Sequence, residues 1–594
     1  MRLGQPTGRL LPARQAAPSI GEPVPGDLLT GPDGPVEDPP GRAVDPETDR
    51  TSSGRRHPAR WLVPTVLLGA VGLTLLFYFL SVRVGFADSD TATAVLEGND
   101  MAAGHVTLHG WALSVDSFWT VDALFYSVAT LLVGVKAMLL HLVPAVIAML
   151  TVVIGIVIAR DGRRGAPAAA ATVTVVCLLA LPGHYLAFFF LRGPFHVATT
   201  LWCLVAFYAF RKGRFGWGWA VGVAFLAAGL LGDLQMVGLG LFPVVCAGLA
   251  TALRTRSLRF GAPLVAGAAA AGVLAVAVRV VAVRIGAFAI GGVQQSAAPR
   301  QVVTNLEHVP SMFVRMLGIG SGSGGVPPVL EWVHIVGVIV VVGALAWHTV
   351  RLVTAMVRGS IATPPGAPTV RPQETGATDT PWRLDDLLFF GCAGGIGAFA
   401  LLAPTSDFNF DRYLTGSIVF GSVLAARMVA LWIAAHPRPE VVRGAAVLGA
   451  VCVLAFASSV GIAMHVGSGG VESAQPVSTL GRFLESHNLT SGIGDYWSSS
   501  VTTVTTDGAV VVRPVTVRPD NTIVRYERQS DSAWYAGQQF QFLVYNTAIP
   551  AGVNTTSATT TFGPPSTVYA VGPYRVLEWG RPLTVSAEGY DPVK

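Results

Sequence analysis

Groups able to move protons or hold anions are concentrated in a few short stretches of this chain. Asp88 and Asp90 stand together in 86-FADSDT-91, and Asp116 and Asp122 follow in and just after 108-LHGWALSVDSFWT-120. His184, Arg192 and His196 flank 182-PGHYLAFFFLRGPFH-196, Asp233 sits in 231-LGDLQ-235, and Arg279 and Arg284 lie near the end of an apolar run. The stretch 406-SDFNFDRYLTG-416 adds Asp407, Asp411, Arg412 and Tyr413. A carboxylate within hydrogen-bond reach of a hydroxyl can act as its general base. Guanidinium groups bind phosphate oxygens and stabilise negative charge as it develops, most effectively where water is scarce.

Each of these residues also has a plainer reading. Asp88, Ser89 or Asp90 is suited to cap a helix beginning near residue 91. Asp233 fits an ordinary tight turn, and Arg412 fits a salt bridge to Asp407 or Asp411. His184 and His196 can orient loops, Trp111 and Trp119 can serve as interface or packing residues, and Tyr496 and Trp497 can either stack on a sugar or fill a core.

The elements that must position these groups are set by composition. Of 594 residues, 52% are hydrophobic and 13% charged, with a mean hydropathy of +0.55. A soluble domain carries about 25% charge, so this chain has too few charges to cover a soluble surface, and a polytopic membrane protein follows. The run 61–82 spans roughly 33 Å as a helix, enough to cross a hydrocarbon core of about 30 Å. Comparable runs recur near 137–159, 167–182, 195–210, 216–232, 234–253, 260–283, 329–353, 384–403, 413–435 and 443–464, giving about eleven predicted spans. The first run starts too late for a cleaved signal peptide and reads as an anchor. Cys177, Cys203, Cys246, Cys392 and Cys452 all lie in or beside spans, which argues against disulfides and a Cys-based metal site. The net charge of +5 comes from arginines in short loops and gives no sign of nucleic-acid binding.

With the N-terminus cytoplasmic, the inner loops hold Arg55, Arg56 and Arg60, Arg160, Arg163 and Arg164, Arg211, Lys212 and Arg214, Arg254, Arg256 and Arg259, Arg351 and Arg358, and Arg438 and Arg443. The outer loops carry scattered cations such as Arg83, Lys136 and Arg192, so the positive-inside rule places the chemistry-bearing groups outside. Residues 1–58 read as a disordered cytoplasmic tail, 59–465 as the transmembrane domain, and 359–382 as a flexible cytoplasmic loop within it. The first outer loop, 83–135, predicts two amphipathic helices, 91–103 and 120–134, lying in the membrane interface with Trp111, Trp119 and Tyr126 at headgroup depth. A shorter helical pattern lies near 302–317. From 466 to 594 the period shifts: a helix near 476–487 precedes β-rich stretches such as 539-QFQFLVYN-546, a small extracytoplasmic α+β domain. The fold class is therefore an all-α polytopic membrane protein with that domain appended.

Carboxylates and cations at one membrane face suit transfer of a sugar from a lipid-linked donor, whose tail stays in the bilayer while its phosphate sits at the surface. Such a transfer needs a base for the acceptor and cations for the leaving phosphate, and passes through an oxocarbenium-like state. The layout resembles the C-type (GT-C) membrane glycosyltransferases, especially bacterial relatives of protein O-mannosyltransferases and arabinosyltransferases. The likeness rests on the first span followed by Asp88-Ser89-Asp90, the outer loop with 108-LHGWALSVDSFWT-120, the Arg-Tyr pair of 411-DRYL-414, and an outer C-terminal domain containing 484-LESHNLTSGIGDYWSSSVTTVTTDG-508. It covers most of 61–510.

The resemblance implies a GT-C-like fold in a bacterial plasma membrane and a polyprenyl-phosphate sugar donor. It implies inverting transfer, metal-independent or assisted by a divalent metal, to an acceptor that the sequence does not identify. It puts the base on Asp88 or Asp90; the outward clustering of charged groups assigns the donor phosphate to Arg412, Arg279, Tyr413 and His196, with Asp233, Asp411, Arg192 and His184 as further outer-face candidates. Many O-mannosyltransferases have an adjacent Asp-Glu pair in this loop, where the present chain has Asp-Ser-Asp. A transporter or lipid flippase, and a non-catalytic glycan-assembly protein of the envelope, are the alternatives. The first would carry repeated halves and a midplane site, and no internal repeat is detectable.

Overall fold

The computed structural model describes residues 59–84, 87–291, 296–319, 328–361, 383–402, 408–436, 475–549, 552–586 and 588–592, with scattered positions between 439 and 454. The tail 1–58, nearly all of the 359–382 loop, Asp407 and most of the run 443–464 lie outside these residues. Residues from Val63 onward belong to one compact unit.

The helices up to the outer loop's end are α1 (Ala59–Val84), α2 (Ser89–Ala102) and α3 (Asp122–Val133), with strand β1 (Trp111–Leu113) between the last two. Then come α4 (Leu139–Arg160), α5 (Ala166–Val175), α6 (His184–Phe190), α7 (Val197–Phe210), α8 (Trp217–Gly232), α9 (Phe242–Thr255) and α10 (Leu258–Arg284). Strand β2 (Ala289–Ile290) precedes α11 (Pro299–Met316), α12 (Pro328–Ile361), α13 (Arg383–Leu401) and α14 (Thr415–Ala435).

Seven helices, α1, α4, α9, α10, α12, α13 and α14, are long and apolar enough to cross a membrane, and the chain is a multi-pass membrane protein. The segment 167–182 becomes one arm of a pair, α5 and α6, bent by 86°. Pro182 and Gly183 at the bend cannot continue a straight helix. The runs 195–210 and 216–232 form α7 and α8, of 14 and 16 residues. At 1.5 Å per residue these reach roughly 21–24 Å, less than a hydrocarbon core of about 30 Å. Of the predicted eleven runs, seven, or eight if the bent pair is one span, form helices among the described residues that are each long and apolar enough to cross.

The outer loop is built differently from expectation. Helix α2 does not lie in the interface: Thr91 to Gly98 are all buried, because α2 packs between α3 and the C-terminal region. A Cβ on Gly98 would stand 2.6 Å from the Tyr126 backbone, so only glycine lets α2 and α3 approach this closely. Trp111, Trp119 and Tyr126 are packing residues, at 2%, 8% and 0% exposure, not members of a headgroup belt. Only α3 keeps an exposed apolar face, with Leu124, Val128, Leu131 and Leu132.

The C-terminal region comprises α15 (Pro476–Ser486), β3 (Ser491–Asp495), α16 (Tyr496–Thr505), β4 (Val511–Val517), β5 (Ile523–Tyr526), β6 (Ser530–Asp531), β7 (Phe540–Asn546), α17 (Thr555–Phe562), β8 (Thr567–Val571), β9 (Tyr574–Leu583) and β10 (Gly589–Tyr590). Seven strands form a mixed sheet in the order β10-β5-β4-β3-β7-β9-β8. The small sheet β2-β1-β6 ties three distant segments together, pairing Trp111 with Asp531 and Ala112 with Ala289. The C-terminal region therefore clamps the first outer loop in place.

Candidate active site

The loop after α1 ends at Asp88, whose side chain caps α2 by accepting the Thr91 N–H at 2.8 Å. Its other oxygen accepts Arg192 Nε at 2.6 Å. Arg192 itself lies over the rings of Phe188 and Phe195. Both Asp88 oxygens are thus engaged in holding structure. Asp90, the second residue of the helix and half-buried, instead accepts from the Tyr496 hydroxyl of α16 at 2.5 Å, and Gln529 reaches the same hydroxyl. Burial and the Asp88 carboxylate push Asp90 above the ordinary carboxylate range, opposed by the Tyr496 hydrogen bond, Arg412 and Arg192.

A second group forms where 116–120 crosses the end of α8. Phe118 N–H donates to Gly232 O at 2.6 Å and Thr120 Oγ1 to Ala228 O at 2.5 Å, which brings Asp116 against the α8–α9 turn, where it accepts the Leu234 N–H at 3.1 Å. Asp233 Oδ1 accepts the Gln235 N–H at 2.8 Å, and its Oδ2 takes both Thr199 Oγ1 and His196 Nδ1, the latter at 2.8 Å. His196 precedes α7 at φ 68°, a left-handed conformation costing a non-glycine residue about 1–2 kcal/mol. Stacking against Tyr413 at 4.9 Å and Phe118 at 5.5 Å holds the imidazole there. One ligand-type atom from each of Asp116, His196 and Asp233 lies within 4.8 Å of the others. Burial and the neighbouring Asp233 carboxylate push Asp116 up to about 6 and Asp122 up to about 7.

Arg412 joins the two groups. It comes from the 3₁₀ turn Phe408–Leu414, lies over the rings of Phe195 and Tyr413, and pulls down the titration of both Asp90 and Asp116. Its Nε is buried without a hydrogen-bond partner. Beside this junction lies a cavity of about 460 Å³ whose polar end is Asp116, Gln235 and Tyr413 and whose walls are apolar residues of the 237–242 stretch and α13. Val237, Phe242 and Leu401 on its lining are 45%, 44% and 60% exposed, as expected of a rim facing lipid. The π-turn Val237–Leu241 crosses α13 backbone to backbone: a Cβ on Gly238 would stand 3.0 Å from Gly394 O. A polar junction of carboxylates and a guanidinium therefore opens onto an apolar groove, the arrangement an amphiphile with an anionic head requires.

The chain is similar to solved structures of ArnT from Cupriavidus metallidurans. The form bound to undecaprenyl phosphate shares 14% identity, with 88% of this chain and 98% of that one covered and a TM-score of 0.48. The apo form shares 13%, with 87% and 98% covered and a TM-score of 0.49. No protein-family model and no curated protein matches the chain.

Of the residues named from sequence, Asp88, Asp90, Arg192, His196, Asp233, Arg412 and Tyr413 come together around this junction. Three do not join it. Arg279 donates to Phe288 O at 3.2 Å and lies over the Phe288 ring. His184 is exposed at the start of α6 and packs on Tyr185. Asp411 turns to Arg315, at 2.6 Å, rather than to Arg412. Arg315 and Gln235 went unnamed, and Asp116 and Asp122 were named without a role. Gln235 was legible in principle, as the polar residue following Asp233 at a junction of two apolar runs.

Proposed function

We propose that the chain is an integral membrane glycosyltransferase that moves a sugar from a polyprenyl-phosphate donor to an extracytoplasmic acceptor. The observation that carries this reading is the apolar cavity ending at Asp116, Gln235 and Tyr413 beside Arg412. The donor's chain occupies the lipid-facing groove and its phosphate meets Arg412 and Tyr413. The reactive carbon then faces Asp90, which deprotonates the acceptor hydroxyl as the sugar–phosphate bond breaks and the phosphate leaves as an anion on Arg412. Asp88 and Arg192 hold the start of α2, and so Asp90, in register. The termini take the orientation argued from the arginine distribution, with the C-terminal region outside. The GT-C resemblance of the sequence points the same way.

The test is transfer of labelled sugar from a polyprenyl-phosphate donor by the purified full-length protein. Loss of a general base costs about 10²–10⁴ in rate, and Asp90→Asn is expected to fall within that range while still binding the donor. Unchanged transfer in Asp90→Asn and Asp88→Asn alike removes the base assignment. Donor binding without turnover by the unaltered protein would replace the enzymatic reading with that of a glycan-assembly protein.

A further inference from the structure

We infer that Asp116, His196 and Asp233 form a divalent-cation site at the polar end of the cavity. Their ligand-type atoms lie within 4.8 Å of one another, a spread that one ion with bonds of about 2.0–2.4 Å can bridge. The 2.8 Å between His196 Nδ1 and Asp233 Oδ2 suits two adjacent ligands of a single ion as well as it suits a hydrogen bond. Two independent features point to a missing partner. Gln235 Oε1, on a side chain 7% exposed and lining the same cavity as Asp116, has no hydrogen-bond partner. Asp122 Oδ2, on a side chain 2% exposed, likewise has none. The Gln235 amide oxygen is a hard donor that can complete such a shell beside the two carboxylates and the imidazole.

The surroundings are also those of a built site. Thr199 Oγ1 and the Gln235 N–H hold the Asp233 carboxylate, and Phe118 and Tyr413 fix the imidazole plane, the kind of outer support that orients metal ligands. Two carboxylates, an imidazole and an amide favour Mn²⁺ or a close relative over an ion bound by oxygen alone. That the ion faces the donor's phosphate rests on the glycosyltransferase reading; that it binds here does not.

The experiment uses full-length protein in detergent, stripped with a chelator and titrated with Mn²⁺ in the absence of any donor. Electron paramagnetic resonance follows free and bound ion. The expected result is one Mn²⁺ retained per chain, with nitrogen coupling from an imidazole ligand. His196→Gln abolishes the coupling, Asp116→Asn weakens retention by at least about tenfold, and Lys136→Ala, at the surface, leaves it unchanged. Should His196→Gln fail to fold, Asp116→Asn decides, since Asp116 is half-buried and its side chain accepts, among the described residues, only the Leu234 N–H. No retention by the unaltered protein, or retention unaffected by Asp116→Asn, overturns the site. Retention without sugar transfer would count against the transferase reading alone, and transfer without retention against the cation alone.

Discussion

Two buried ionic networks sit near opposite ends of α14, and they differ in charge balance and in what lies beside them. Toward its C-terminal end, Arg427, fully buried, donates Nε to Asp385 at 2.5 Å and Nη1 to Ile158 O at 2.7 Å, and reaches Asp161 at 3.3 Å. Next to it, Asp386 is held by Arg254 and by His348, the latter at 3.0 Å. Three carboxylates meet three basic side chains. At the other end, Asp90, Asp116, Asp122 and Asp233 meet Arg412 and His196; among the described residues, buried polar atoms of Asp122, Gln235 and Arg412 have no hydrogen-bond partner there, as Asp385 Oδ2 and His348 Nδ1 have none at the first end. The first network locks α4, α9, α12, α13 and α14 together. The second sets four carboxylates against two basic side chains and has a cavity beside it. One bundle thus matches carboxylates to basic side chains where it needs cohesion and leaves carboxylates in excess beside the cavity.

The contrast is broken most strongly at the balanced end. Removing one partner of a buried pair costs about 3–5 kcal/mol, because the other charge stays buried and unpaired. Arg427→Met is therefore expected to abolish a monodisperse, cooperatively melting protein, whereas Arg412→Met at the cavity end leaves the melting temperature nearly unchanged while transfer falls. Equal destabilisation by the two variants, measured by thermal unfolding in detergent, would erase the distinction.

A smaller effect is expected in the groove. Gly397 lines the cavity and has open space where a Cβ would stand. Gly397→Phe should fill the groove without disturbing the fold, raising KM for the lipid donor by at least about tenfold, the equivalent of 1.4 kcal/mol of lost binding. An unaltered KM would mean that the donor enters elsewhere.

The smallest effect concerns pH. Asp90 titrates above the ordinary value of 3.8 through burial and Asp88, while Tyr496, Arg412 and Arg192 pull it down. A base acts ionised, so activity is lost as pH falls through this raised value, and the acid limb of the rate profile lies above 3.8. Tyr496→Phe removes one stabiliser of the carboxylate and should move that limb to higher pH. A limb that stays in place would separate Asp90 from the rate.

Much of this was legible in the sequence, and the limits have physical causes. Long apolar runs report their own length, so α1, α4, α9, α10, α12, α13 and α14 could be read directly. Where α7 and α8 end at polar turns after 14 and 16 residues, the apolar signal by itself does not fix the span count. The clustering of outer-face charges was visible because ionisable groups are sparse in such a chain. Their partners were not, since Asp90 meets Tyr496 and Asp411 meets Arg315 across 406 and 96 residues. Strands of two and three residues, such as β1, β2 and β6, are too short to show a period, so the clamp on the outer loop left no trace. The first network went unread because Asp385 and Asp386 look like the ordinary polar flank of a span.

The central claim is that a lipid phosphate lies in the groove between the 237–242 stretch and α13 with its head at Arg412. Photo-crosslinking with a diazirine-bearing polyprenyl phosphate, followed by peptide mapping, tests it most directly. Label on the peptides containing Val237 to Phe242 and Gly394 to Leu401, suppressed in Gly397→Phe, is the predicted result. Label confined to other helices, or unchanged by Gly397→Phe, would contradict it.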